Sequence, residues 1–211
     1  MTFFHFLIGF VDVWAAGRLG RDVQACIGLT TQAMFFFLVV AIAFANGSVA
    51  AISQSMGAGL FRRIQRYVGL GLQSGLAMGI MLLVIGLAVK SALPGIMRMP
   101  EDIAPIAADI FEIYVYLLPS YYLFIISNAI FRAQQRVMYP LYAIMLVTAA
   151  NTFGDLAFGL GYWGFPAYGY KGLAWATFLS INCGTIFNLV VLIWLRLLAR
   201  YSFAPWRWVK R

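Results

Sequence analysis

Two acidic residues stand inside long apolar stretches of this sequence. Asp12 lies in FLIGFVDVWAAG, and Asp155 lies in AANTFGDLAFG. Asn151 comes four residues before Asp155, so in a helix both side chains project from one face, one turn apart. An ionisable residue inside a membrane span costs at least about 2.5 kcal/mol, which makes it a functional candidate by default. Carboxylate and amide oxygens are hard ligands that suit Na⁺ or H⁺ rather than a soft metal.

A second interpretation places both carboxylates near the ends of their spans, in the headgroup layer of the membrane. Asp12 is about five residues from Gly17, and Asp155 is about six residues from Gly161, where the apolar stretches end. The spacing alone leaves both interpretations open.

The composition indicates an integral membrane protein. Apolar residue types make up 63% of the 211 residues and charged types only 10%, whereas an ordinary soluble domain is about a quarter charged. A spanning helix with its loop takes roughly 30 residues, so the chain has room for about six spans. Continuous apolar runs such as MFFFLVVAIAF favour helices over a membrane barrel, whose strands alternate apolar and polar residues.

The polar interruptions divide the chain into a six-helix transmembrane lobe over residues 1–199 and a basic tail over residues 200–211. We expect a polar link over Gly17–Gln24 between the first two spans. Four glycines of the third span, Gly69, Gly71, Gly75 and Gly79, predict close helix packing there. The expected spans are 2–16, 25–56, 64–93, 103–133, 137–160 and 173–198.

The formal net charge of +8 is better explained by membrane topology than by nucleic-acid binding, because the basic residues lie between apolar segments. About ten of the fifteen lysines and arginines fall in the connections after even-numbered spans and in the tail. The positive-inside rule therefore predicts that both termini lie in the cytoplasm. We expect the membrane to be a bacterial-type cytoplasmic (inner) membrane.

Patterns typical of enzymes are missing from the sequence. It has no HExxH, no GxSxG, no paired CxxC and no glycine-rich phosphate loop before a lysine. The two cysteines, Cys26 and Cys183, are far apart and form no metal-binding pattern. We therefore expect neither catalysis nor a cofactor.

Five short strings resemble, in order, the motifs of one transporter family. VDVWAAGRLG followed by DVQACIGLTTQ is similar to the opening of the multidrug and toxic compound extrusion (MATE) family. Each string alone is a weak signal, but the ordered set covers nearly the whole chain. The remaining strings that resemble MATE motifs are SQSMGAGLFRR, IFRAQQRVMYPL, NTFGD and GFPAYGYKGLAWAT.

The MATE fold consists of two six-helix lobes related by pseudo-symmetry, and this chain resembles the N-terminal lobe only. The resemblance implies an all-α transmembrane six-helix bundle whose first helix is truncated, since only eleven residues precede Asp12. It implies a second six-helix lobe, or a copy of the chain, as partner. It also implies a cation site made by Asp12, Asn151, Asp155 and Thr177, with no metal beyond a possible Na⁺ at that cluster.

The function implied by the resemblance is H⁺- or Na⁺-coupled antiport that exports cationic or amphipathic small molecules. One alternative is a lipid-linked oligosaccharide flippase of the same superfamily. Such a flippase would be expected to carry basic residues in its central cavity, and no basic residue stands clearly in mid-span here. A further alternative is an inactive membrane fragment or assembly partner.

Overall fold

The computed structural model describes residues 2–96, 99–101 and 103–198, with the side chains of Thr2 and His5 left aside. The predicted basic tail lies outside this range. The described residues form helices joined by short turns, with no strand among them. The helices are α1 (Thr2–Leu19), α2 (Arg21–Gly57), α3 (Phe61–Val89), α4 (Leu93–Ile96), α5 (Ala104–Ala133), α6 (Met138–Gly154), a π-helical segment (Asp155–Gly159), a 3-10 turn (Tyr162–Gly164) and α7 (Tyr170–Trp194).

Five of the described helices are long and apolar enough to cross a membrane: α2, α3, α5, α6 together with the π-helical segment, and α7. The prediction of an all-α transmembrane fold is therefore confirmed. The 18-residue α1 is not one of the five, and a helix of that length measures only about 27 Å against a hydrocarbon core of about 30 Å. A sixth span at α1 stays a prediction.

α5 is the central helix of the bundle. It packs against α2, α3 and α7, and it carries Phe111, Tyr122, Phe124 and Phe131, which are among the largest fully buried side chains. The Tyr122 hydroxyl donates a hydrogen bond to the Phe37 carbonyl of α2 at 2.5 Å. Large apolar side chains on the outer helices instead point away from the core, as expected for a surface that faces lipid.

Glycines let α3 approach α5 closely. A Cβ added at Gly79 would lie 2.7 Å from the Pro119 Cα, and a Cβ added at Gly75 would overlap the Ile126 side chain. The prediction of close packing through the third span is confirmed at these two positions. The contact places α3 against the point where Pro119 interrupts the hydrogen bonding of α5.

Two connections differ from the expectation. The polar link predicted over Gly17–Gln24 is helical except at Gly20, whose φ of 139° only a glycine adopts easily. Val23 and Cys26 are buried in the core, so α2 begins well before its first long apolar run. The third span was expected to continue to Leu93, but α3 ends at Val89 and the short α4 follows.

Candidate cation site

The four residues predicted to bind a cation lie together, although they come from distant parts of the chain. Asp12 lies on α1, Asn151 on α6, Asp155 at the start of the π-helical segment and Thr177 on α7. The Asp12 carboxyl lies beside the side chains of Asp155 and Asn151. The Asn151 amide nitrogen donates to the Thr177 hydroxyl at 3.3 Å, and that hydroxyl donates to the Leu173 carbonyl at 3.2 Å.

Both polar residues of the α6 motif are completely buried. Asn151 and Asp155 have 0% exposure, so the Asp155 carboxylate is shielded from solvent by the protein itself. The burial is created by α1 and α7, which pack against α6 and against the π-helical segment.

The π-helical segment sets the position of Asp155. The Leu160 amide donates to the Asp155 carbonyl at 3.0 Å, an i to i+5 bond that widens the helix by one residue. Gly154 allows this turn to approach α7, since a Cβ there would lie 2.6 Å from the Ala176 Cβ. A Cβ on Gly172 of α7 would overlap the Phe158 carbonyl in the same way. The two elements that carry Asp155 and Thr177 are therefore in backbone contact.

The oxygens of the site outnumber their donors. Asp12 Oδ1, Asn151 Oδ1 and both Asp155 carboxylate oxygens are buried without a hydrogen-bond partner among the described residues. Two facing carboxylates only accept hydrogen bonds, so they cannot satisfy each other unless a proton or a cation lies between them. The described ion pairs, Lys90–Glu112 and Lys171–Asp109, involve neither carboxylate.

The donor set suits a small hard cation or a proton. Two carboxylates, one amide oxygen and one hydroxyl are oxygen ligands of the kind preferred by such ions. The described residues contain no group of three or more His, Cys, Asp or Glu side chains, which is the arrangement that a transition-metal centre would need.

A cavity of about 240 Å³ opens beside the cluster. Its polar lining includes Thr31 of α2 and the tyrosines Tyr114 and Tyr121 of α5, together with Asp12 and Thr177. The Tyr114 hydroxyl lies at hydrogen-bonding range from the Thr177 side chain. Sequence reasoning missed Thr31 and both tyrosines, although the seven-residue spacing of the tyrosines places them on one face of α5.

Comparison with known proteins identifies the family of the chain. A sequence model of the MatE family matches residues 1–155. The chain is 30% identical over 205 residues to the probable multidrug resistance protein NorM of Synechocystis sp., an alignment that covers 92% of this chain and 42% of that protein.

Two solved structures of multidrug resistance MATE family transporters of the MOP superfamily have the same fold. The outward-facing structure gives a TM-score of 0.89 at 19% identity and covers 99% of this chain and 46% of the other. The inward-facing structure gives 0.86 at 20% identity and covers 97% of this chain and 46% of the other.

The chain thus belongs to the MATE family of membrane transporters, as the sequence motifs predicted, and not to an enzyme family. It spans less than half the length of the relatives that it matches. These residues therefore correspond to somewhat less than half of such a transporter.

Proposed function

We propose that this chain forms the N-terminal lobe of an ion-coupled antiporter that exports cationic or amphipathic small molecules. The coupling ion, H⁺ or Na⁺, binds at Asp12, Asn151, Asp155 and Thr177. The observation that carries this proposal is the buried Asp155 carboxylate beside the half-buried Asp12, because both Asp155 oxygens and Asp12 Oδ1 have no donor among the described residues. A low-dielectric interior makes two facing negative charges costly, so binding of a positive ion there is strongly favoured.

Coupling follows from the charge of this cluster. With both carboxylates ionised, the site presents a negative field to the adjacent cavity and attracts a cationic substrate. Binding of H⁺ or Na⁺ removes part of that charge, weakens the hold on the substrate and lets α1 pack differently against α6 and α7. Because the same carboxylates serve ion and substrate, occupancy by one disfavours the other, as exchange requires.

The cavity in this lobe is too small to be the whole substrate site. Pockets for drug-sized ligands are about 300–1,000 Å³, and the cavity beside Asp12 measures about 240 Å³. We infer that a second six-helix lobe, or a second copy of this chain, completes it. Rocking of two lobes around a central site would then give alternating access, and the likeness to inward- and outward-facing transporters supports a lobe that moves as a unit.

We further propose an orientation in a bacterial-type inner membrane. The α2–α3 turn, the α5–α6 turn and the end of α7 carry Arg62, Arg63, Arg132, Arg136 and Arg196. The positive-inside rule assigns this end, and with it both termini, to the cytoplasm. The lipid-linked oligosaccharide flippase is not favoured, since the relatives are named as multidrug resistance proteins and no basic residue lines the cavity.

Ion binding by the purified 211-residue chain tests the site. Radioactive ²²Na⁺ binding and proton release on Na⁺ addition are measured for the wild-type chain and for Asp12→Asn and Asp155→Asn. We expect each substitution to abolish the Na⁺-dependent signal, or the pH-dependent proton uptake if H⁺ is the coupling ion. Asp22→Asn, at an exposed carboxylate near the start of α2, is the matched control and should bind as wild type. Unchanged ion binding in both site variants would reject the assignment.

Transport is measured after each substitution is placed in a two-lobe context, with this chain co-expressed with a second six-helix lobe. Efflux of ethidium, a lipophilic cation, should lose its ion dependence in Asp12→Asn and Asp155→Asn and keep it in Asp22→Asn.

A further inference from the structure

A second cavity lies between α2 and α5, on the side of the bundle where α5 ends. It measures about 310 Å³, within the range of about 300–1,000 Å³ that is typical of small-molecule sites. It shares Leu38 and Tyr121 with the cavity beside Asp12, but no residue of the proposed cation site lines it. We call it the Arg132 cavity, because the side chain of Arg132 lies in its wall.

The polar lining of the Arg132 cavity is rich in hydrogen-bond donors and carries a positive charge. A guanidinium has five N–H donors and no acceptor, and each amide adds two more donors. Among the described residues that line the cavity none is acidic, and the described ion pairs do not include Arg132. The last acidic residue of α5, Glu112, is twenty residues before Arg132, a distance of about 30 Å along the helix. The polar lining consists of Asn46, Tyr121, Asn128 and Arg132.

A buried contact with α7 orients one of these donors. The amide nitrogen of Asn188, a residue with 0% exposure, donates to the Asn128 side-chain oxygen at 3.0 Å. The oxygen of Asn128 is therefore occupied within the bundle. Its amide nitrogen has no acceptor among the described residues and belongs to the lining of the cavity. The bundle thus holds a neutral donor in place on the same face of α5 as the guanidinium, one helical turn before it.

The rest of the cavity wall is apolar. Ile42 is 46% exposed, and it follows Leu38 by four residues on one face of α2. An inorganic anion bound to the donors would leave this wall in contact with water, whereas a ligand with an apolar part would cover it. The cavity therefore suits an amphipathic ligand and not a bare ion. The apolar lining consists of Leu38, Ile42, Ala45, Phe124 and Ile125.

We propose that the Arg132 cavity binds an amphipathic small molecule with one negative charge, a carboxylate or a sulfonate. Its anionic group lies against the Arg132 guanidinium and the amides of Asn46 and Asn128, and its apolar part covers Leu38 and Ile42. One arginine balances one negative charge, so a lipid diphosphate, with more than one charge and a long chain, fits this cavity less well. The site is separate from the proposed cation site and does not require an ion at that site.

Calorimetric titration of the full 211-residue chain in neutral detergent tests the site. The probes are 2-naphthoate, 2-naphthylmethanol and 2-naphthylmethylammonium, which share one ring system and differ in the charge of the polar group. Hydrogen bonds to a charged group change affinity by about tenfold or more, so we expect 2-naphthoate to bind at least about tenfold more tightly than 2-naphthylmethanol. Arg132→Gln should remove most of that difference without weakening the binding of the ammonium probe, and Arg132→Lys should restore part of it.

The matched control is Arg136→Gln. Arg136 is an exposed arginine four residues after Arg132, and it does not line the cavity, so this variant should bind 2-naphthoate as the wild-type chain does. Asp12→Asn should also keep 2-naphthoate binding. Equal losses in Arg132→Gln and Arg136→Gln, or loss of 2-naphthoate binding in Asp12→Asn, would overturn the proposal of a separate anion site at Arg132.

Two further variants keep the test decisive if Arg132→Gln loses helix content in circular dichroism. Asn46→Leu removes a donor from an exposed position and should weaken 2-naphthoate binding severalfold, with little effect on 2-naphthylmethanol. Ile42→Ala keeps every donor and should weaken the binding of both probes. Wild-type 2-naphthoate affinity in both variants contradicts the proposal, as does equal affinity of the wild-type chain for 2-naphthoate and 2-naphthylmethanol. Tighter binding of farnesyl diphosphate than of 2-naphthoate would identify a lipid diphosphate site and overturn it too.

Discussion

Asn151 has two different roles within its one amide group. Its nitrogen donates to Thr177, and this fixes the orientation of the group. Its oxygen is buried and has no donor among the described residues. An aspartate at position 151 would add a third negative charge to the proposed site, and a leucine would remove the oxygen. The asparagine amide therefore gives the proposed site an oxygen ligand without a charge.

Thr177 can be tested without changing the charge of the site. Thr177→Val preserves the shape of the side chain but removes the hydroxyl that accepts from Asn151 and lies near Tyr114. A lost hydrogen bond of this kind costs about 1 kcal/mol, so we expect roughly fivefold weaker ion binding. Thr177→Ser keeps the hydroxyl and is the control. The ²²Na⁺ and proton-release assays measure both variants, and equal affinity in the two would exclude a role for the hydroxyl.

The site could be predicted from sequence only as far as local spacing and family motifs extend. Asn151 and Asp155 are one helical turn apart, which is a property of a single helix. Asp12 was singled out as an acidic residue in an apolar stretch, but its grouping with Asn151 and Asp155, and the choice of Thr177, came from the resemblance, since nothing local links them to α6. Tyr114 and Tyr121 were missed because aromatic residues seven apart in an apolar helix are equally typical of a buried core. Only the fold, which brings residues of α1, α2 and α7 around the same cavity, makes them part of it.

At the scale of elements, the site depends on how closely α7 approaches the π-helical segment. Gly172 meets the Phe158 backbone, and the Tyr168 amide donates to the same Phe158 carbonyl at 2.8 Å. Two contacts on one peptide group hold the start of α7 against the end of α6. The distance between Asp155 and Thr177 is thus set by residues that touch neither side chain.

A single methyl group at Gly172 should therefore weaken the site from a distance. Gly172→Ala forces α7 away from the Phe158 backbone, because a helical backbone cannot give way as a flexible side chain can. We expect a severalfold loss of ion affinity with all four proposed ligands present, and a lower melting temperature from overpacking of about 1–3 kcal/mol.

Gly47→Ala is the control for Gly172→Ala, since no atom lies within 4 Å of a Cβ at Gly47. Ion binding and thermal unfolding in detergent are measured for both variants. Wild-type affinity in Gly172→Ala would mean that the position of α7 does not tune the site.

The helices themselves follow from long apolar runs, which is why the fold class could be predicted. The π-helical segment could not, because its five residues, Asp155–Gly159, have no local signal that distinguishes a wide turn from an ordinary one. In the folded protein, α7 packs against this π-helical segment, and that contact comes from a part of the chain outside the segment. The sequence also did not predict that α1 and α2 meet at Gly20. Charged residues such as Arg18 and Asp22 indicated a loop, but both of them lie in helices.

At the scale of the whole molecule, a lobe with an incomplete cavity needs a partner at that cavity. Thr31 and Leu38 line it from α2 and lie on one face of that helix, seven residues apart. Phe36 lies on another face of α2 and is 71% exposed. If a second lobe or a second copy covers the cavity, Thr31 lies near the partner and Phe36 lies in lipid.

Cysteine cross-linking distinguishes these two surfaces. With Cys26 and Cys183 replaced by alanine, Thr31→Cys and Phe36→Cys are labelled in membranes with benzophenone maleimide, whose maleimide adds to the introduced thiol and whose photoactivated ketone inserts into a C–H bond of whatever protein lies against it. We expect Thr31→Cys to yield a product that contains a second lobe or a second 23.5 kDa chain, and Phe36→Cys to stay monomeric. Monomer alone from Thr31→Cys, with a second lobe co-expressed or absent, would reject pairing at the cavity.

The junction at Gly20 also bears on how the protein is made. A single glycine separates α1 from α2, and α2 is 37 residues long with no charged residue between Asp22 and Arg62. During synthesis this strongly apolar segment can carry the preceding helix, with its aspartate, into the bilayer as one hairpin. Asp155 is translated about 140 residues after Asp12, a delay of roughly 7 to 30 seconds at 5–20 residues per second. For that interval the proposed ion site lacks its α6 residues, and it is complete only after α7 has brought in Thr177.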